Sequence, residues 1–203
     1  MTEGSSPHQS NPFATKFIRA GEIPYRFPEG SSLESLTWRL KEASWRGQIV
    51  GPHGSGKSTL LKSLDDRWPT FGRQPITFRL QPQQRTLGTA SRDWSPRDWS
   101  PRTQVIVDGY QQLALISKCR LHVCCRRLRC GLLITTHQAS VLGPPIVWRT
   151  ETSAELAKSL VRALTGDRHT ITDQVIEQHF HACQGNLRET LLHLYDEFGK
   201  QQV

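Results

Sequence analysis

The sequence predicts an α/β protein: a mostly parallel five-stranded sheet flanked by helices, followed by a small C-terminal helical lid. Three observations carry this. A glycine-rich loop at residues 51–59 lies between a short strand candidate and a helix start. An apolar run, Gln104-Val-Ile-Val-Asp108, ends in an acid and sits between further apolar strand candidates. Residues 152–203 change to the 3.6-residue periodicity of amphipathic helices.

The elements read in order as follows. Residues 1–30 form an arm whose first twelve residues are polar and expected to be disordered, followed by Phe13, Phe17, Tyr25 and Phe27. Ser31-Ser-Leu-Glu34 resembles a capping box, and Leu33, Leu36, Leu40 and Ala43 then share one helical face. Arg46–Val50 is the first strand, and the helix after the loop runs from Lys57 to about Asp66. Ile76–Leu80 alternates as a second strand. Residues 82–103 are a flexible loop rich in Pro, Arg, Gln and Ser, with Arg92-Asp-Trp-Ser-Pro96 repeated as Arg97-Asp-Trp-Ser-Pro101. The repeat is a tolerated insertion, or an arm whose Trp94 and Trp99 stack on a partner or on bases. Gln104–Asp108 is the third strand. A basic helix spans about 111–129, Gly131–His137 is the fourth strand and Ile146–Arg149 the fifth. Three helices close the chain. The first opens at Thr152-Ser-Ala-Glu155 with Leu156, Leu160, Ala163 and Leu164 on one face. Thr172 caps the second, with Ile176, His179, Phe180 and Cys183 on one side; Asn186 opens the third, with Leu187, Leu191, Leu194 and Phe198 inward. The expected domains are thus residues 1–30, 31–151 and 152–203.

The 203 residues suffice for one α/β core with an appendage, and carry a formal net charge of +8. Residues 1–150 hold 21 basic and 10 acidic residues, and residues 151–203 hold 5 and 8. That break marks a boundary near Glu151. The basic part suits polyanions: a nucleotide, nucleic acid or an acidic protein surface. No apolar run approaches membrane-spanning length, and the N-terminus lacks a signal-peptide core. An odd count of five cysteines without C-x-x-C spacing reads as reduced thiols in a cytoplasmic protein, with zinc the weaker alternative.

Gly51-Pro52-His53-Gly54-Ser55-Gly56-Lys57-Ser58-Thr59 fits the phosphate-binding pattern G-x-x-x-x-G-K-[ST]. Glycines let backbone N–H groups approach a polyphosphate, Lys57 places a charge near the β- and γ-phosphates, and the Ser58 hydroxyl can ligate Mg²⁺. Asp108 ends an apolar strand as a Walker B acid does and would share that metal. One strand between these two motifs argues for the sheet order 5-1-4-3-2. The fourth strand then lies between the motif strands, and Thr135, Thr136 or His137 falls beside the γ-phosphate.

These motifs resemble those of AAA+ and related P-loop ATPases: Walker A at Gly51–Thr59, Walker B at Val105–Asp108, sensor 1 strand at Gly131–His137. Gly185-Asn186-Leu187-Arg188-Glu189 resembles the Gly-Asn-x-Arg-Glu of the AAA+ lid. The resemblance implies ATP with Mg²⁺ as ligand, Lys57, Asp108, His137 and Arg188 as acting residues, Arg188 reaching the phosphates from the lid, and an oligomer as an open option. A more distant similarity to ABC ATPases rests on the same loop, on His137, and on Tyr25 or Phe27 as adenine contacts, but their Leu-Ser-Gly-Gly-Gln signature is absent. The chain also departs from the AAA+ pattern. Gly109-Tyr110-Gln111-Gln112 follows Asp108 where a water-activating glutamate is usual. Slow hydrolysis, a switch rather than a motor, is the expectation. Two alternatives stay open: a small-molecule kinase, and a nucleic-acid-associated scaffold with a regulatory ATP site.

Overall fold

The computed structural model describes residues 13, 23–87, 96–166 and 171–200. The expectation of disorder over residues 1–12, and the one for Trp94, lie outside them. Five strands form one sheet: β1 (Arg46–Val50), β2 (Gln74–Arg79), β3 (Thr103–Asp108), β4 (Gly131–Thr136) and β5 (Ile146–Arg149). Their order is β2-β3-β4-β1-β5, and every pairing is parallel. The order expected from the motif spacing is the one observed.

The central strands read as continuous apolar runs because both of their faces are covered. Alternation sends Val105, Val107, Leu132 and Ile134 into one core with Leu121 and Cys125 of α3 (Leu115–Arg127). Ile106 and Leu133 enter a second core with Leu36 and Leu40 of α1 (Leu33–Glu42), and with Leu60 and Leu61 of α2 (Lys57–Ser63). Among the described residues, no helix is long and apolar enough to cross a membrane.

The chain divides into two compact units, Pro24–Glu151 and a second made of Met1–Ile23 with Thr152–Val203. The second contains α4 (Ala154–Thr165), α5 (Asp173–Ala182) and α6 (Leu187–Lys200). Its core gathers Val161, Ile176, Phe180, Leu187, Leu191, Leu194 and Phe198 around the fully buried Phe13. Thr172 caps α5 and the Asn186 side chain accepts from the Glu189 N–H, as the sequence indicates.

Several local expectations are corrected. The capping box of α1 is one residue later: Ser32 caps, and its partner is Ser35 rather than a glutamate. Ser153, not Thr152, caps α4, and the buried stripe is Ala157, Val161 and Thr165, with Ala163 exposed. Helix α2 ends at Ser63 and passes into a 3₁₀ turn, Asp65–Arg67. The single helix expected over 111–129 is a 3₁₀ turn, Tyr110–Gln112, then α3, because Leu113 is extended and buried between them. Trp99 is buried in the β3 core rather than free to stack on a partner, and Leu87 is buried on the same side, so both ends of the 82–103 loop are anchored.

A chain of polar side chains crosses α3. The Arg46 guanidinium donates to His122 Nδ1 at 3.4 Å, which leaves the imidazole proton on Nε2 to donate to the Tyr110 hydroxyl at 2.9 Å. Burial, with repulsion from Arg46 and Arg126, pushes the His122 pKa down from 6.5 to about 4. The unfolded chain binds this proton near pH 6.5 and the folded chain only near 4. The stability tied to neutral His122 is therefore complete above 6.5 and lost as pH falls toward 4. Urea midpoints measured across that window should fall with acidity, and His122→Gln should shrink the fall. An identical acid limb in the variant would contradict this coupling.

Candidate functional site

Gly51 leaves β1 with no room for a side chain, because a Cβ there would run into the Thr150 side chain and carbonyl just after β5. The Ser55 hydroxyl lies 2.6 Å from that of Thr150 and donates to the Pro52 carbonyl at 2.8 Å. The loop is thus closed on itself and tied to the neighbouring strand. Gly56, at φ +84°, takes the left-handed backbone that turns the loop into α2. Among the described residues, no acceptor meets the backbone N–H groups of Gly56, Lys57 and Ser58. They form a ring of donors without partners, which is what a polyphosphate requires.

Lys57 is buried, and its Nζ donates to the Gly51 carbonyl at 2.6 Å and the Pro52 carbonyl at 2.5 Å. Burial pulls its pKa from 10.5 down to about 8, against the opposing pull of Asp108. A cation held under its own loop, satisfied only by carbonyls, is poised to exchange them for an anion.

Ser58 donates to Asp108 Oδ2 at 2.7 Å, and Thr135 donates to Asp108 Oδ1 at 2.6 Å. The same Thr135 hydroxyl accepts from the Gly109 N–H at 2.9 Å. The parallel register Val107↔Ile134 sets Asp108 beside Thr135. Hydroxyl and carboxylate oxygens together are the donors a hard cation such as Mg²⁺ takes, with water and phosphate completing its shell. The residues present fit that ion.

Of the three residues expected beside the γ-phosphate, the structure separates the roles. Thr135 serves Asp108. The Thr136 hydroxyl is buried and has no partner among the described residues. His137, just past β4, packs edge-on against His53 with ring centroids 3.5 Å apart, and its Nε2 lies 3.2 Å from Gln111 Nε2. Burial, with repulsion from His53 and Lys57, pushes His137 down to about 4, so it is neutral near pH 7. Tyr25 lies against Gly56, and its hydroxyl accepts from the Trp148 indole at 3.2 Å. Phe27 packs on both rings. Tyr25 and Phe27 are partly buried and pack against the core that contains Trp148. Arg188 belongs to the helical unit, exposed in the first turn of α6.

The sequence left Thr150, Gln48 and the second function of Thr135 unmarked. Gln48 is a buried amide that donates to the Pro144 carbonyl at 2.7 Å and accepts from the Ser140 N–H at 2.9 Å, pinning the loop after His137. Its signal was an amide at the centre of β1, next to the apolar Ile49 and Val50. Among the described residues, no group of three or more His, Cys, Asp or Glu gathers as a metal centre, and all five cysteines are free.

No protein-family model matches the chain. Over 54 residues it is 43% identical to cytoplasmic dynein 2 heavy chain 1 of Chlamydomonas reinhardtii, a stretch covering 23% of this chain and 1% of that protein. Over 49 residues it is 35% identical to the zinc uptake system ATP-binding protein ZurA of Listeria innocua, covering 24% of this chain and 19% of that one. Among solved structures, NtrX from Brucella abortus, in complex with ADP, matches with a TM-score of 0.53 at 13% identity, over 82% of this chain and 49% of that one. The chain therefore spans about half of this structural neighbour and under a fifth of the two sequence relatives. The likeness shows the fold: an α/β protein whose all-parallel five-stranded sheet, in the order β2-β3-β4-β1-β5, is like that of a P-loop NTPase.

Thr135→Val removes a donor from Asp108 and an acceptor from the Gly109 N–H inside the sheet. Losing such partners should cost about 1–3 kcal/mol. Urea unfolding of the purified variant reads this directly, and unchanged stability would show that neither bond matters.

Proposed function

We propose that this chain is an ATP-binding switch that hydrolyses ATP slowly with Mg²⁺. The observation that carries the reading is the 2.7 Å bond from Ser58 to Asp108 beside a loop whose lysine is buried and whose Gly56, Lys57 and Ser58 N–H groups meet no acceptor among the described residues. Gly51, Pro52, His53, Gly54, Ser55, Gly56, Lys57, Ser58 and Thr59 would cradle the triphosphate. Ser58 and Asp108 would hold the metal, which supplies charge neutralisation at the β- and γ-oxygens. Lys57 would trade its two loop carbonyls for phosphate oxygens. His137 would report on the γ-phosphate.

Slow turnover follows from the residues after Asp108. Gly109 has no side chain where a general base would stand, and the neutral, low-pKa His137 is a poor substitute. Arg188, and the helical unit as a nucleotide-sensing lid, remain part of the proposal on the strength of the Gly-Asn-x-Arg-Glu motif. The free thiols suit a reducing, cytoplasmic setting.

A second reading has one specific observation behind it. Arg120, Arg126 and Arg127 are exposed on α3 and, among the described residues, form no salt bridge. A nucleic-acid-associated protein with a regulatory ATP site would use such a face, and its binding would weaken with salt.

Saturating Mg-ATP should raise the melting temperature, since about 100 times Kd is worth ~2.7 kcal/mol. Lys57→Ala should weaken ATP about 10- to 100-fold, the scale of a charged hydrogen bond, while the fold survives. Undiminished binding by the variant would remove the site assignment. Arg188→Ala should lower the ATP-to-ADP affinity ratio, and an unchanged ratio would return Arg188 to the surface. Unassisted turnover at motor rates in a phosphate-release assay would refute the switch.

A further inference from the structure

We propose that the outer face of α3, together with the tip of the loop that follows β4, docks on an anionic phospholipid surface. No residue of the phosphate loop takes part, so the proposal stands or falls apart from the ATP reading. Residues 109–150 hold six lysines and arginines and no aspartate or glutamate. Among the described residues, eight large hydrophobic side chains are exposed, and six of them fall in this same stretch: Leu115, Ile116, Val123, Val141, Leu142 and Ile146. Arg120, Arg126 and Arg127 form no salt bridge among the described residues. Exposed aliphatic groups and unpaired positive charge thus coincide on one segment.

The fold brings the two parts of that segment side by side. Arg46 and Gln48, two residues apart, point to the same face of β1. On that face the Arg46 guanidinium donates to His122 of α3, and the Gln48 amide holds Ser140 and Pro144 of the loop. The Tyr110 hydroxyl, bonded to His122, also meets the Ser140 side chain. The loop therefore lies beside α3, and Val141 on it is 100% exposed. Within α3, Leu121 and Cys125 face the sheet. At 3.6 residues per turn, Leu115, Cys119, Val123 and Ile116 fall together on the opposite arc, exposed, with Arg120 and Arg127 along one margin. A helix with an apolar inner face and a second apolar stripe outward has two faces to cover.

The chemistry of the outer face selects the occupant. A nucleic acid takes cations together with stacking aromatics, and the six exposed apolar side chains here are all aliphatic. A partner helix of acidic character takes a groove, whereas these groups protrude from a helix crest and a loop. Aliphatic points bordered by arginines suit the boundary of an anionic bilayer. The side chains enter the acyl edge, and the guanidinium groups stay with the headgroup phosphates.

Binding is read by co-sedimentation of the full chain with vesicles of phosphatidylcholine alone, or with about 30% phosphatidylserine. The mixed vesicles should bind the chain, the neutral ones about tenfold or more weakly, and added salt should weaken binding. Arg120→Gln with Arg127→Gln should lose about fivefold per arginine. Ile116→Ser with Val141→Ser keeps every charge and should lose about tenfold or more. All four positions are exposed, so both variants should fold, which circular dichroism and urea unfolding check. The proposal is overturned if the mixed vesicles sediment without the chain, if neutral vesicles bind as well, or if either folded variant binds as the parent does. Duplex DNA held more tightly than the vesicles, and weakened by the arginine changes alone, would overturn it in favour of nucleic acid. Self-association without vesicles, lost in the serine variant, would overturn it in favour of a second copy of the chain.

Discussion

One carboxylate holds the candidate site together. Asp108 receives hydroxyl protons from Ser58 at the head of α2 and from Thr135 at the end of β4, residues 50 and 27 positions away in the chain. Neither bond can form unless β3 and β4 run parallel in the observed register and β1 delivers the loop on the far side of β4. The site is therefore a readout of strand order. A one-residue slip of β3 would turn the carboxylate to the other face of the sheet and break both bonds at once.

The second constraint is charge. Lys57 is buried beneath its own loop and bonded to the Gly51 and Pro52 carbonyls, and burial depresses its pKa against the pull of Asp108. Among the described residues, a buried cation and the N–H groups of Gly56, Lys57 and Ser58 without acceptors stand on one loop, an arrangement that costs stability. Around this point the polar groups are arranged in tiers. Ser55 and Thr150 brace the loop, Thr135 braces Asp108, and Gln48 braces the segment after His137. Of these, Thr150, Thr135 and Gln48 lie outside the motifs they support.

Much of the fold was legible in the chain. The loop, the apolar strand ending in Asp108 and the strands at 46–50 and 146–149 announced themselves because backbone conformation there is dictated locally, by glycine and by two-sided burial. The helices of residues 152–203 were equally readable, yet the α4 stripe was rotated onto Ala157 and Val161 because small residues mark a close contact only once the neighbouring helices are in place. Trp99 misled for a related reason. A repeat looks like a free arm, but an aromatic with an apolar sheet edge nearby buries itself. The cap of α1 fell one residue late because two serines satisfied each other as well as Ser and Glu would.

By itself the sequence determined the glycine-rich loop between strand and helix, the acid at the end of β3, the absence of a carboxylate just after it, and from their spacing the strand order. These are properties of neighbouring residues and of periodicity, so they need no partner to be read. Only the tertiary structure decided that Thr135 belongs to Asp108, that Thr150 closes on Ser55, and that Gln111 meets His137 at 3.2 Å. The reason is physical: a hydrogen bond depends on where two backbones pass each other, and that is set by sheet register and helix packing, which no local pattern encodes.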